Sequence, residues 1–472
     1  MAQTIAIPIW LFLILVTITL WFSLDRVLLP GARWFLRKRV NRLIDEINLR
    51  LDIEIRPFQL TKRQVLIDRL VFDTKVMEAI SEYAHEHNVP QEVAQSKVLL
   101  YAKEIVPSFN AVIYFRFGYW LAKKIARLVY RIRVGFLDND LIAKIDPNAT
   151  VVFVMNHRSN MDYLLVSFLV AERTTLSYAV GEWARMWPLQ SLISAMGAFF
   201  VRRNSKNALY RRVLERYVHM ATQEGVCQAV FLEGGLSKDG KMREPKMGFL
   251  DYMLRSYHEG SDRDIVFVPV GVNYDRTLED RTLLRGLDKN APKRSQWFVI
   301  KTTFKFVWHN FSLVRRSRWR RFGFAAVNFG KPVSMTNYCQ QHDCHFSVLE
   351  PHLRYQRVEE LANTLMADIS AMMPVLPVAL LATILLKNSQ SGMSRLDLKV
   401  QVYDLIKQLE DRQAPVLLPQ RARDHTISNA LHMLVIRHIV EEAEDMYRCA
   451  PDSHQILQYY ANSIAHHLSE NH

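Results

Sequence analysis

The stretch VVFVMNHRSNMDYLL, Val151–Leu165, decides how this chain is read. Five consecutive apolar residues, rich in valine, have the composition of a short strand buried on both faces. A polar turn follows, with Asn156, Ser159 and Asn160 as turn and cap formers, and a second apolar run starts at Met161. His157 and Asp162 lie in that turn. On one continuous helix five residues make roughly 500° of rotation, so the two side chains would leave on different faces. They meet only if the chain turns between them, and the turn formers supply that. A histidine held by a carboxylate can take a proton from a hydroxyl, with the carboxylate fixing the tautomer. With 16 histidines in 472 residues, a His-x4-Asp pair is expected about once by chance, so its surroundings must carry the case.

Outward from this turn, short apolar runs alternate with helical stretches: Phe199–Val201, then Ala208–Gln223, then Cys227–Leu232 and Ile265–Val272. This alternation predicts an α/β domain over 146–343. Residues 31–145 read as helical, broken at Pro90 and Pro107, and residues 344–472 read as helical again. Val378–Leu386 is apolar but too short to span a bilayer, so a core or interfacial helix is expected there.

The chain carries 61 Lys and Arg against 47 Asp and Glu, a formal charge of +14 that favours an anionic partner. Ile5–Leu24 contains no charged residue, is long enough to cross a bilayer, and has Trp10 and Trp21 near its ends. Arg26, Arg33, Arg37, Lys38, Arg39 and Arg42 follow it. Residues 1–30 are therefore expected to form a transmembrane anchor with the rest of the chain on the cytoplasmic side. Phe109–Arg133 reads as one amphipathic helix with Lys123, Arg127 and Arg131 at four-residue spacing, suited to the headgroup plane of an anionic bilayer. The run RRSRWRR, Arg315–Arg321, suits phosphates. No nucleic-acid-reading motif accompanies it, so anionic membrane lipid is the expected partner and nucleic acid is not. The four cysteines make no disulfide framework. CQQHDCH, Cys339–His345, does not have the spacing of a structural zinc site, and no metal is expected.

Four blocks follow one another at strand ends: NHRSNMDYLL, GAFFVRR, FLEGGLSK and VPVGVNYD. Paired guanidiniums at Arg202 and Arg203 suit a phosphate or carboxylate. The Gly234-Gly235 turn lets backbone approach a ligand, and Pro269 is expected to end or offset a strand. In their order and spacing these blocks resemble the glycerolipid acyltransferase superfamily, and most closely its membrane-bound glycerol-3-phosphate acyltransferases. The resemblance extends to LYRRVLERY (Leu209–Tyr217) and ILQYYANSIAHHL (Ile456–Leu468).

The resemblance implies a central mixed-sheet acyltransferase domain with helices on both faces. It implies transfer of a fatty acyl group from acyl-CoA or acyl carrier protein to glycerol 3-phosphate, without a cofactor, at a bacterial inner membrane. His157 would be the general base and Asp162 its partner. Arg202 and Arg203 would bind the acceptor phosphate. Glu233, Gly234, Ser237 and Lys238 would shape or charge the acceptor pocket, and Pro269 would belong to a block associated with the acyl donor or the pocket wall. One position departs from the family pattern: Leu236 stands where the third block usually has arginine. Lys238 or Arg243 could supply the charge instead. Alternatives are a lysophospholipid or other acceptor, or a non-catalytic lipid-binding protein on the same fold.

Overall fold

The computed structural model describes residues 53–135, 144–171, 174–181, 189–202, 205–258, 260–287, 322–389 and 391–469, with the isolated positions 8–10 and 17. The anchor expected in 1–30, apart from those positions, and the run Arg315–Arg321 lie outside the described residues. Among the described residues no helix is long and apolar enough to cross a membrane.

The chain is α/β, with a mixed sheet at its centre. Its strands are β1 (Arg131–Val134), β2 (Thr150–Met155), β3 (Ser177–Gly181), β4 (Phe199–Val201), β5 (Gln228–Phe231), β6 (Ile265–Tyr274), β7 (Phe324–Phe329) and β8 (Val333–Ser334), in the order β1-β7-β6-β2-β5-β3-β4 with β8 also on β6. β2 is parallel to both neighbours, whereas β7 and β8 run antiparallel to β6.

Every residue of β2 is buried. Successive side chains leave a strand on opposite faces. Val152 and Val154 therefore enter a core shared with the helices Ala208–Gln223 and Gly248–Leu254, while Val151, Phe153 and Met155 enter a second core under the helix Met161–Val170. The helices Arg63–Val71, Thr74–Glu86 and Gln91–Ile105 pack into the first of these cores. From β2 the chain crosses to β3 on one side of the sheet. From β5 it crosses back over β2 to β6 on the other. The carboxyl ends of β2 and β5 thus lie where the connections reverse direction, a place where open α/β sheets form a crevice.

Three expectations are corrected. First, Phe109–Arg133 is not one helix. A π-helical turn, Ile113–Gly118, leads into an α-helix, Tyr119–Val129, and Tyr130 turns extended at φ −115°. The basic residues Arg131 and Arg133 belong to β1, which pairs with β7 and forms the sheet edge. Second, Pro269 does not end a strand. It lies inside β6, between Val266–Phe267, which pair with β8, and Val270–Tyr274, which pair with β7. A proline is tolerated at that change of partner because no ladder bond needs its missing N–H. Third, residues 344–472 are not all helical. β9 (Met393–Ser394), β10 (Val440–Ala443) and β11 (Met446–Cys449) form a small antiparallel sheet in the order β10-β11-β9. The turn residues Glu444 and Asp445 both have positive φ, 51° and 59°, so a two-residue hairpin forms without the glycine that usually signals one. This C-terminal part has its own apolar core. The helix Pro377–Lys387 is buried at every residue from Pro377 to Leu385, in agreement with the core reading of Val378–Leu386.

Candidate active site

At the end of β2, Asn156 continues the sheet with its side chain. Its amide donates to Val272 O at 2.9 Å, and its carbonyl accepts from Val272 N at 2.8 Å. The next residue, His157, is thereby aimed into the crevice. Its ring stacks on Phe231, the last residue of β5, at a centroid distance of 3.9 Å and meets Tyr163 edge-on at 5.5 Å.

The turn brings Asp162 back to the ring. His157 Nδ1 lies 2.9 Å from Asp162 Oδ2. The same oxygen accepts from the backbone N–H groups of Arg158 (2.7 Å) and Ser159 (3.0 Å). Oδ1 accepts from the Tyr274 hydroxyl at 2.6 Å. Asp162 also sits in the first turn of the helix Met161–Val170, where a negative charge meets the positive end of the helix dipole. A carboxylate with these donors holds the proton on Nδ1 and leaves the Nε2 lone pair free. Nε2 is buried and has no partner among the described residues. Burial, with Asp162 adding to it, pushes the Tyr274 hydroxyl well above its ordinary pKa, so it stays a donor.

The turn itself is held by Glu279. It accepts from Ser159 Oγ at 2.8 Å, from Asn160 N at 3.2 Å and from Asn160 Nδ2 at 3.1 Å. Tyr274 and Glu279 were not singled out in the sequence, and Asn156 was read only as a turn former. Tyr274 lies inside the fourth block, but nothing local distinguishes it from a core tyrosine. Glu279 belongs to no block.

The third block folds over the second side of His157. Glu233 Oε1 accepts from His157 N at 3.1 Å, and Ser237 N donates to His157 O at 3.0 Å. Glu233 Oε2 is buried and unpartnered. Burial pushes the Glu233 carboxyl up to about 7, against the pull of Arg158 and of the His157 N–H. Gly234 has φ +64°, and a Cβ there would lie 2.8 Å from the Lys246 side chain. Ser237 is fully buried. Its hydroxyl donates to Lys241 O at 2.7 Å and accepts from Gly240 N at 3.1 Å, so it shapes the turn. Lys238 points away and donates to Gly286 O at 3.2 Å.

Arg202 is already engaged. Its Nε and Nη2 donate to the two oxygens of Glu104 at 2.9 and 2.7 Å, and its plane lies over Tyr101 and Tyr210. Arg203 lies outside the described residues. Pro269 pairs with Val154, two residues before Asn156, and so stands below the level of His157. Arg158 is 1% exposed. It holds Gly240 O through Nη1, while Nε and Nη2 have no protein partner. Cys339 and Cys344 are buried with their sulfurs 4.0 Å apart. Among the described residues no group of three or more His, Cys, Asp or Glu is placed to hold a metal.

Two family models match the chain: "Acyltransferase" over residues 139–273 and "Glycerol-3-phosphate acyltransferase C-terminal region" over residues 307–471. The first contains His157, Asp162 and Glu233. A glycerol-3-phosphate acyltransferase of Pseudomonas entomophila is 31% identical over 86% of this chain and 49% of its own length. One of Xanthomonas campestris pv. campestris is 27% identical over 86% of this chain and 46% of its own. The chain spans about half the length of these curated relatives. Among solved structures, the 1-acyl-sn-glycerophosphate acyltransferase PlsC from Thermotoga maritima matches at 17% identity and a TM-score of 0.30, over 66% of this chain and 98% of its own. At that level the match has no bearing on the fold.

Proposed function

We propose, taking the likeness to the glycerol-3-phosphate acyltransferases as the premise, that this chain transfers a fatty acyl group from a thioester to a hydroxyl of glycerol 3-phosphate. The observation that carries this reading is the state of His157: Nδ1 is fixed by Asp162, and Nε2 is buried without a partner. A free lone pair there needs a donor, and an acceptor hydroxyl is one. The hydroxyl proton moves to Nε2 as its oxygen bonds to the thioester carbonyl carbon. The imidazolium is stabilised by Asp162. As the tetrahedral intermediate collapses, the C–S bond breaks, and the departing thiolate takes the proton back from Nε2. The thioester is that of coenzyme A or of acyl carrier protein, and these steps need no other cofactor.

The reaction is placed at an anionic membrane surface on the cytoplasmic side of a bacterial inner membrane, with 1–30 as the anchor. The helix Tyr119–Val129 and the turn before it support this. Arg116, Phe117, Trp120, Lys124 and Arg127 are all exposed and fall on one side of it, opposite the buried Ala122 and Ala126. Residues 109–135 contain no acid. Cations interleaved with exposed aromatic rings suit the headgroup layer.

The test is an assay of the purified chain in detergent or vesicles, with labelled acyl-CoA or acyl carrier protein and glycerol 3-phosphate. His157→Ala serves as the control. Transfer that persists undiminished in the control removes His157 as base. No transfer to glycerol 3-phosphate or to any lysophospholipid rejects the enzymatic reading.

A further inference from the structure

We infer that Arg243 is the specificity-determining residue that receives the phosphate of the acceptor, at the Leu232–Lys246 loop beside His157. The inference rests on the proposed acceptor. The loop is closed at its base, where Leu232 N donates to Met155 O at 3.2 Å and Lys246 N donates to Leu232 O at 2.7 Å. Within it, Ser237 N is bonded to His157 O, which fixes the preceding residue, Leu236, beside the catalytic turn. Arg243 reaches across the loop to Leu236 O at 3.5 Å and lies exposed. Its backbone N–H and its charge also act on the Glu233 carboxyl, whose Oε1 is bonded to His157 N.

Three other cations near this loop are engaged elsewhere, and the exposed Lys241 and Lys246 offer only a point charge, not a planar fork. Lys238 is turned to Gly286 O, both oxygens of Glu104 hold Arg202, and Arg158 is buried with Nη1 on Gly240 O. Arg243 has one long contact and forms no ion pair among the described residues. A guanidinium carries five N–H donors in a planar fork that fits a phosphate bidentately. Arg243 keeps most of them available, exposed on the loop that bonds to the His157 backbone. A bound phosphomonoester would bring its dianion to this fork while its hydroxyl lies toward His157 Nε2.

Arg243→Ala should raise the KM for glycerol 3-phosphate by about 10- to 100-fold, the usual weight of a charge-assisted contact. The KM for the acyl donor should stay unchanged. Arg243→Lys should recover part of the loss, as a point charge without the fork. Adding Leu236→Arg to Arg243→Ala should bring the KM back toward the wild-type value, because Arg243 reaches the carbonyl of position 236 and the two lie side by side on the loop. Calorimetric titration with glycerol 3-phosphate reads the same site without turnover: the wild type should bind and Arg243→Ala should bind weakly or not at all. Equal binding and equal KM in Arg243→Ala overturn the inference. Binding that depends on Arg243 in a chain that transfers no acyl group upholds it and rejects only the proposed reaction. No binding of glycerol 3-phosphate by the wild type overturns both.

Discussion

The Tyr274 hydroxyl, from the end of β6, donates to Asp162 Oδ1 at 2.6 Å, and Asp162 Oδ2 holds His157 Nδ1 at 2.9 Å. A long-range tyrosine thus fixes the orientation of a carboxylate whose local donors, the Arg158 and Ser159 N–H groups, all converge on its other oxygen. Tyr274→Phe removes one bond to a charged group, typically about 1.5–3 kcal/mol. We expect kcat to fall roughly 10- to 100-fold, less than the ~10²–10⁴-fold loss for His157→Ala. Steady-state kinetics of both variants check this. Wild-type kcat in Tyr274→Phe would remove the tyrosine from the machinery.

Gly240 ties the catalytic turn to the C-terminal part of the chain. Its carbonyl receives Arg158, its φ is +83°, and a Cβ on it would lie 1.9 Å from Tyr459 O. Asn462 Nδ2 also donates to Asp239 O at 2.8 Å. Gly240→Ala is expected to destabilise the protein by roughly 1–3 kcal/mol through overpacking and backbone strain, and to lower kcat through the displaced loop. Thermal melting measures the first effect. An unchanged midpoint would show that the helix His454–Asn462 is not seated on this loop.

Glu233 gives a pH signature. Its carboxyl titrates near 7 in the folded chain, against an ordinary value of 4.5. Between those values the folded state binds more protons than the unfolded state, so its contribution to stability falls as pH rises through that window. The slope from this group is at most about 1.4 kcal/mol per pH unit. Glu233→Gln lacks the titration. Denaturant unfolding at pH 5, 6 and 7 should show the difference in stability, wild type minus variant, decreasing with pH; a constant difference refutes the assignment.

Trp120 is 52% exposed, and Lys124 lies over its ring at 5.6 Å. Charge reversal at Arg116, Lys124 and Arg127, or Trp120→Ala, should reduce the preference of the full chain for phosphatidylglycerol vesicles over phosphatidylcholine vesicles. Each cation contributes about 1 kcal/mol near an anionic surface, and the effect weakens with salt. Co-sedimentation at two ionic strengths is the check. A preference untouched by the triple reversal would move the membrane contact to another face.

The strand–turn–helix around His157 was legible because its determinants are local. Five apolar residues, a run of turn formers and an apolar helix gave Val151–Met155 and the helix from Asp162 to within a residue of the observed bounds. β3 and β7 were not legible, because SYAVG and FAAVNF mix small and polar residues and lack the valine-rich run that marks β2. β1 was hidden because its alternation is too short to interrupt a helical pattern that precedes it. Ser237 and Lys238 illustrate a similar limit for the site. Residue type suggested ligand contacts for both, yet one hydroxyl is consumed inside a turn and one ammonium caps Gly286.

The sequence by itself put His157 and Asp162 on a turn that can bring them together, since the turn formers between them are local. It also determined the α/β character and the basic, aromatic stretch before β1. Only the tertiary structure decided which oxygen of Asp162 is left for Tyr274, that Glu104 occupies Arg202, and that Lys238 turns to Gly286 O while Arg243 reaches Leu236 O. Glu104 and Arg202 are 98 residues apart, and Asp162 and Tyr274 are 112 apart. Such pairings are set by how the sheet orders its strands, and no spacing within one segment encodes them.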